Sequence, residues 1–294
     1  MVALWVGTTE GVHLVGDRLR VELAGHEVAA LQPDDGVLWA LVDGHELRRR
    51  GPDGWSTAAS MHDLRFNCLS ARGNDVLVGA SEARLFRLSG ETLEPVSAFD
   101  HLSDRTEWFT PWGGPPDVRS IARSNGATFV NVHVGGILRS DDAGATWKQT
   151  IEVRSDVHEV IASGDRVLAA TAFGLGISND GGSQWEFIDD GLHASYARAV
   201  ALAGDTIVMS ASTGPHGGRA HIYRRPLAGG SFELLEKGLP ESFSRNIDTG
   251  CVAASDQEVA FATDDGDVFL SEDQGASWER VADGLGAARW VAFD

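Results

Sequence analysis

Cysteine is nearly absent from this chain: Cys68 and Cys251 are the two in 294 residues. They lie far apart, in the apolar runs FNCLSA and TGCVAA. No disulfide framework can be built from them, and buried thiols are expected. Basic residues are scarce too, with 24 Lys and Arg against 43 Asp and Glu and a net charge of −19. A duplex-binding protein needs basic surface to displace counterions, so nucleic acid is not an expected partner. An anionic membrane is excluded on the same ground. The acidity serves solubility or draws in cations. There is no run of about 20 apolar residues to span a bilayer. Met1 is followed directly by the strand pattern VALWVG rather than by a basic and then apolar leader, so a cytoplasmic location is expected. No glycine-rich loop opens a helix after a strand, which leaves no nucleotide cofactor to expect. No G-x-S-x-G elbow is present either.

What the chain has instead is glycine, 35 residues of it, and a 43% hydrophobic fraction that can fill a large core. It also has an internal repeat. Three segments match: Ser140-x-Asp142-x-Gly144-x-Thr146-Trp147, Ser178-x-Asp180-x-Gly182-x-Gln184-Trp185, and Ser271-x-Asp273-x-Gly275-x-Ser277-Trp278. The first two are 38 residues apart, and the gap to the third leaves room for two further units. Three short apolar runs precede each box. For the first box they are VRSIAR, ATFVNV and GGILRS. A fourth, TWKQTI, follows it. Four strands in about 40 residues is the size of one propeller blade. Weaker copies at 37–55, 75–88 and 206–225 bring the count to about seven. The first unit, ALWVGTTEGVHLV, lacks an innermost strand, and AARWVAFD (287–294) supplies one. Pairing the last strand with the first leaves no exposed edge. The expected fold is therefore all-β: a single β-propeller domain over 1–294, of about seven four-stranded blades, closed by the C-terminal strand, with a loop insertion at 101–116.

The S-x-D-x-G-x-[TSQ]-W boxes resemble the Asp-box (BNR) repeats of sialidase-like β-propellers. That resemblance implies the fold and not an activity, since such propellers include enzymes and binding proteins. It implies a scaffold role for the box, in the hairpin between third and fourth strands. Asp142 would accept backbone N–H bonds in the turn, Gly144 would supply a positive φ, and Trp147 would fill the space between blades. The resemblance also implies what a sialidase should carry. The R-I-P motif is missing, and Tyr196 and Tyr223 are the only tyrosines. A typical sialidase is not expected.

The loops expected at the channel mouth carry histidines and arginines. His133 (VNVHVGG), His158 (SDVHEV), His193 (GLHASYAR) and His216 (TGPHGG) occupy matching places in neighbouring units. Imidazoles converging there would suit a divalent transition metal of open identity. Asp248 or Glu10 could add an oxygen ligand. The other reading of each histidine is a hydrogen-bonding loop residue. Arg65, Arg119, Arg198, Arg245 and Arg289 lie near first-strand starts. They would hold a carboxylate or phosphate, or pair with Asp117, Glu241 and Asp248. The insertion HLSDRTEWFTPWGGPP carries Trp108, Phe109 and Trp112, as an aromatic lid or as a plug on the blade rim.

Two functional readings follow. The first is a hydrolase or lyase acting on a small polar, anionic substrate. It would use His158, His193, Tyr196 and Asp248 in catalysis, with His133, His158, His193 and His216 as metal ligands. Arg65, Arg119, Arg198, Arg289, Trp108 and Trp112 would bind substrate. The second is a non-catalytic propeller that recognises a peptide or protein partner through the same loops.

Overall fold

The computed structural model describes residues 3–111 and 113–294; Trp112 lies outside them. Seven four-stranded antiparallel sheets make up the fold, a seven-bladed β-propeller as the repeat predicts. In chain order the blades begin at Leu4, Val28, Phe66, Val118, Val157, Tyr196 and Val252. Six are built from consecutive strands. In the first, Ala288–Phe293 takes the inner position beside Leu4–Thr8, with Gly11–Val15 and Arg20–Glu22 outside them. Leu4 faces Phe293, Val6 faces Val291 and Gly7 faces Trp290 across that seam. Trp290 packs flat against Gly250, where a Cβ would sit 2.2 Å from the indole and where φ is +75°.

By internal packing the chain divides into two compact units. One comprises Met1–Leu31, Ala170–Leu175 and Phe187–Asp294. The other comprises Gln32–Ala169 and Gly176–Glu186. The strands are short apolar runs buried on both faces, as in Ala127–Val132 and Gly174–Ser178, where every residue is buried. Such strands read as continuous hydrophobic runs because neighbouring blades cover both sides. The core of the first unit is the cluster around Val6, Val259, Phe261 and Val291. In the second, Phe129, Ile137, Val157 and Val167 form a cluster between the fourth and fifth blades.

The boxes have the geometry that their residue types suggest. In the first, Thr146 donates to Asp142 through its backbone N–H at 2.8 Å and its hydroxyl at 2.6 Å. The buried Ser140 hydroxyl donates to Asp142 at 2.9 Å and accepts the Gly144 N–H at 2.8 Å. Trp147 Nε1 closes the turn on the Gly144 carbonyl at 3.1 Å. Asp273, Ser271, Gly275, Ser277 and Trp278 repeat this arrangement. The carboxylates are thus saturated within their own hairpins. Trp147 stands edge-on to Phe99 at 5.1 Å, and Trp278 edge-on to Phe261 at 4.9 Å.

Part of the 101–116 insertion is also packed. Trp108 is buried against Phe99, and the Arg105 guanidinium lies 4.9 Å above the Trp108 ring. A Cβ on Gly135 would meet Trp108 at 3.2 Å, so the indole rests on the backbone next to His133. Arg105 fixes this stretch by donating to the carbonyls of Ala83 and Glu82. Phe109 is exposed.

Candidate functional site

Two of the four histidines come together. His133 opens the turn that follows the strand Ala127–Val132, and His158 is the second residue of the strand Val157–Ser163. Their rings are 5.9 Å apart, and both are buried. Between them stands Asp156, which caps a short 3-10 turn (Val153–Ser155) in the left-handed conformation at φ 45°. Aspartate is among the few non-glycine residues that tolerate this region. Its Oδ1 lies 3.3 Å from His133 Nε2 and 3.7 Å from His158 Nε2. Burial works to raise the Asp156 carboxyl. The His133 hydrogen bond and the charges of His158, His133 and Arg119 outweigh it and hold the group below its ordinary value. At the neighbouring Asp117 the balance is reversed. Burial raises it, against Arg119 and His133. Arg119 therefore borders this cluster. Among the described residues, His133, Asp156 and His158 are the one group of His, Cys, Asp or Glu with three converging ligand atoms.

The other two histidines have different surroundings. His193 Nδ1 is 2.7 Å from the Tyr223 hydroxyl, its ring stacks on Tyr223, and His221 stands edge-on at 4.6 Å. Burial lowers the pKa of His193, with Arg219 adding to the effect; burial also lowers His221, with His193 and Arg219 contributing. His216 lines a cavity of about 360 Å³ together with Arg198, Arg245, Asn246, Asp248, Asp264 and Arg289. Here three of the five expected arginines meet. Arg198 Nε is 3.1 Å from Asp248. Arg245 and Arg289 share Asp264, at 3.0 and 3.3 Å, and Arg289 also reaches Glu27 at 3.5 Å. The Tyr196 ring lies 5.6 Å from the Arg198 guanidinium. Arg65 covers Gly44, where a Cβ would meet it at 3.2 Å.

Asp248, a catalytic candidate from the sequence, is thus held by an arginine, and Tyr196 lies against that same arginine. Trp108 is packed inside the second unit. Sequence reasoning did not single out Asp156. No spacing rule pointed to it, because its left-handed turn, rather than the alternation of a strand, sets its direction. Asn246 was also missed. It caps the cavity loop through bonds to the Gly214 and Pro215 carbonyls and accepts from the Ser212 hydroxyl at 2.5 Å.

No family model matches the chain, and no curated protein matches it. Solved structures do. One titled "YCF48 bound to D1 peptide" has a TM-score of 0.62 at 18% identity, over 95% of this chain and 84% of that one. The WD40 β-propeller domain of Doa1 gives a TM-score of 0.67 at 13% identity, over 97% and 88%. An ancestral GH74 enzyme gives 0.68 at 13% identity, but this chain spans only 40% of it. At such identities the likeness establishes the propeller fold alone.

Proposed function

We propose that this protein is a non-catalytic recognition propeller. In this reading it binds an acidic segment of a peptide or protein partner at the cavity of Arg198, Arg245 and Arg289. The observation that carries the reading is the grouping of three guanidiniums and His216 around one 360 Å³ hollow in a chain of net charge −19. Each guanidinium presents five N–H donors in a fixed fork. The carboxylates that hold them, Asp248, Asp264 and Glu27, engage them through one nitrogen at a time at most of these contacts. Those carboxylates orient the forks and leave donors for an incoming carboxylate, which an arginine binds in a bidentate way. The Arg245 side chain is 69% exposed and reaches furthest into solvent. The peptide in the YCF48 structure supports a peptide partner, and the match spans most of both chains.

The reading also accounts for Asp248 and Tyr196. Both support Arg198, so neither is placed as a nucleophile or base. The test is an array of peptides with free carboxylates, probed with the intact protein and followed by titration of the strongest binders. Binding is expected to weaken at least 10-fold in Arg245→Ala and to fall with rising salt, as exposed charge pairs do. Amidating the acidic groups of the bound peptides is expected to abolish it. Binders indifferent to Arg245→Ala and to amidation, or no binders at all, would remove this reading.

A further inference from the structure

The geometry points to a second site, in the other compact unit: His133, Asp156 and His158 form a three-ligand centre for a divalent transition metal of the zinc or cobalt type. The distances carry the argument. If the cluster were only a carboxylate accepting from two imidazoles, its contacts should be charge-assisted hydrogen bonds of about 2.7–2.9 Å. They are 3.3 and 3.7 Å instead, both to the same oxygen, Asp156 Oδ1. A tetrahedral ion bound at about 2.0–2.1 Å separates its ligand atoms by about 3.4 Å. The two observed edges bracket that value. All three ligand atoms lie within 4.8 Å of one another, so the third edge closes by rotation of an imidazole about its soft terminal torsion.

The donor set fits the ion. Two imidazoles and one carboxylate suit borderline divalent metals and leave coordination positions open. A second observation points to a ligand in the same place. Asn131 is fully buried, and neither polar atom of its amide has a hydrogen-bond partner. It stands in the strand Ala127–Val132, two residues before His133. Its cross-strand partner is Ser120, whose hydroxyl accepts the N–H of Val160, two residues beyond His158. The Asn131 side of the fourth blade is therefore the side that faces the strand carrying His158. A buried amide left without partners is costly. A water on the open metal position, bonded to Asn131, would remove that cost.

The test uses the full-length protein, stripped with a chelator and titrated calorimetrically with Zn²⁺ or Co²⁺ alone. One equivalent is expected to bind saturably. Loss of a direct ligand should exceed the 10- to 100-fold cost of disturbing a group behind the ligands. His133→Gln and Asp156→Asn should therefore each weaken binding by about 100-fold or more. His221→Gln and His62→Gln serve as controls, because His193–His221 and His45–His62 are close ring pairs that could capture metal on their own. Neither control should change the affinity. X-ray absorption on the zinc-loaded wild-type protein needs no variant to fold, and it should show two imidazoles with oxygen completing the shell. Three outcomes would overturn the assignment: no saturable binding by the wild type, an affinity unchanged in both ligand variants, or a shell without two imidazoles. None of these results bears on the arginine-lined cavity, which is tested separately.

Discussion

Val6 and Val291 lie opposite each other across the seam between the first and last strands, at 0% and 3% exposure. A double-mutant cycle on this pair measures the seam directly. Each Val→Ala change removes two methyl groups from a packed site. Transfer of two such groups is worth about 1.6 kcal/mol, and the cavity left behind brings the cost to about 2 kcal/mol. For a chain of this length that is a fall in Tm of about 3–4 °C. Directly opposed side chains in antiparallel strands are coupled by roughly 0.2–1 kcal/mol. The double variant should therefore lose about 3 kcal/mol rather than 4, because the second truncation removes contacts that the first has already weakened. The assay is guanidinium unfolding of the four proteins, checked by calorimetry. If Val291→Ala costs less than about 0.5 kcal/mol, or the two changes are strictly additive, then the last strand does not pack on the first as described. A small buried side chain has no third way to be silent at a packed position.

Further perturbations probe other parts of the fold. Asp142→Ala should lower the melting temperature, through loss of three accepted hydrogen bonds, and leave partner binding unchanged; loss of binding without loss of stability would make the box functional. Gly266→Ala should be strongly destabilising in thermal melts, since φ is +84° and the new Cβ would stand 1.9 Å from the Leu285 carbonyl oxygen. Hydrogen bonds from Thr146 and from Gln184 hold Asp142 and Asp180 below the ordinary carboxylate range. At Asp273 burial pulls upward, but bonds from Ser277 and Ser271 prevail. A carboxyl that is lower in the folded state contributes stability above its unfolded value of about 3.9 and loses it as pH falls through the folded value. Acid titration followed by circular dichroism should show box-dependent loss only below about pH 4, and the loss should be shallower in Asp142→Asn. His193 and His221 are also lowered by burial, so the fold should weaken as pH drops below about 6.5, less steeply in His221→Gln melts. Cys68 is wholly buried and its thiol is pushed up; it should stay unreactive to a thiol reagent until denaturant is added.

The fold was readable because each blade restates it. Three boxes and a recurring order of apolar runs set the strands, and the unmatched run at 287–294 located the partner of the first strand. The sites were readable only in part. His133 and His158 stood out as loop histidines, and three of the arginines do share a cavity. The residues that decide their chemistry are short-range neighbours in space without any spacing rule. Asp156 acts because a left-handed turn points it between two imidazoles. His193 is tied to Tyr223, 30 residues away, by a contact that no periodicity announces. Trp108 reads equally as part of a lid or of a plug, and Gly135, which leaves a flat place for its ring, is not marked out by the sequence. Local propensity fixes strands, whereas a polar site depends on which loops meet, and single residues tip that outcome.

The seam also has a consequence in time. The strand Leu4–Thr8 leaves the ribosome some 280 residues before its inner neighbour Ala288–Phe293. At about 5–20 residues per second that interval is roughly a quarter of a minute to a minute. Throughout it the blades between can form from contiguous hairpins, while the first blade has an open edge with Leu4 and Val6 beside it. An open, apolar strand edge is a template for another chain. The nascent protein is thus exposed to mispairing along Leu4–Thr8, and the synthesis of Ala288–Phe293 ends that exposure.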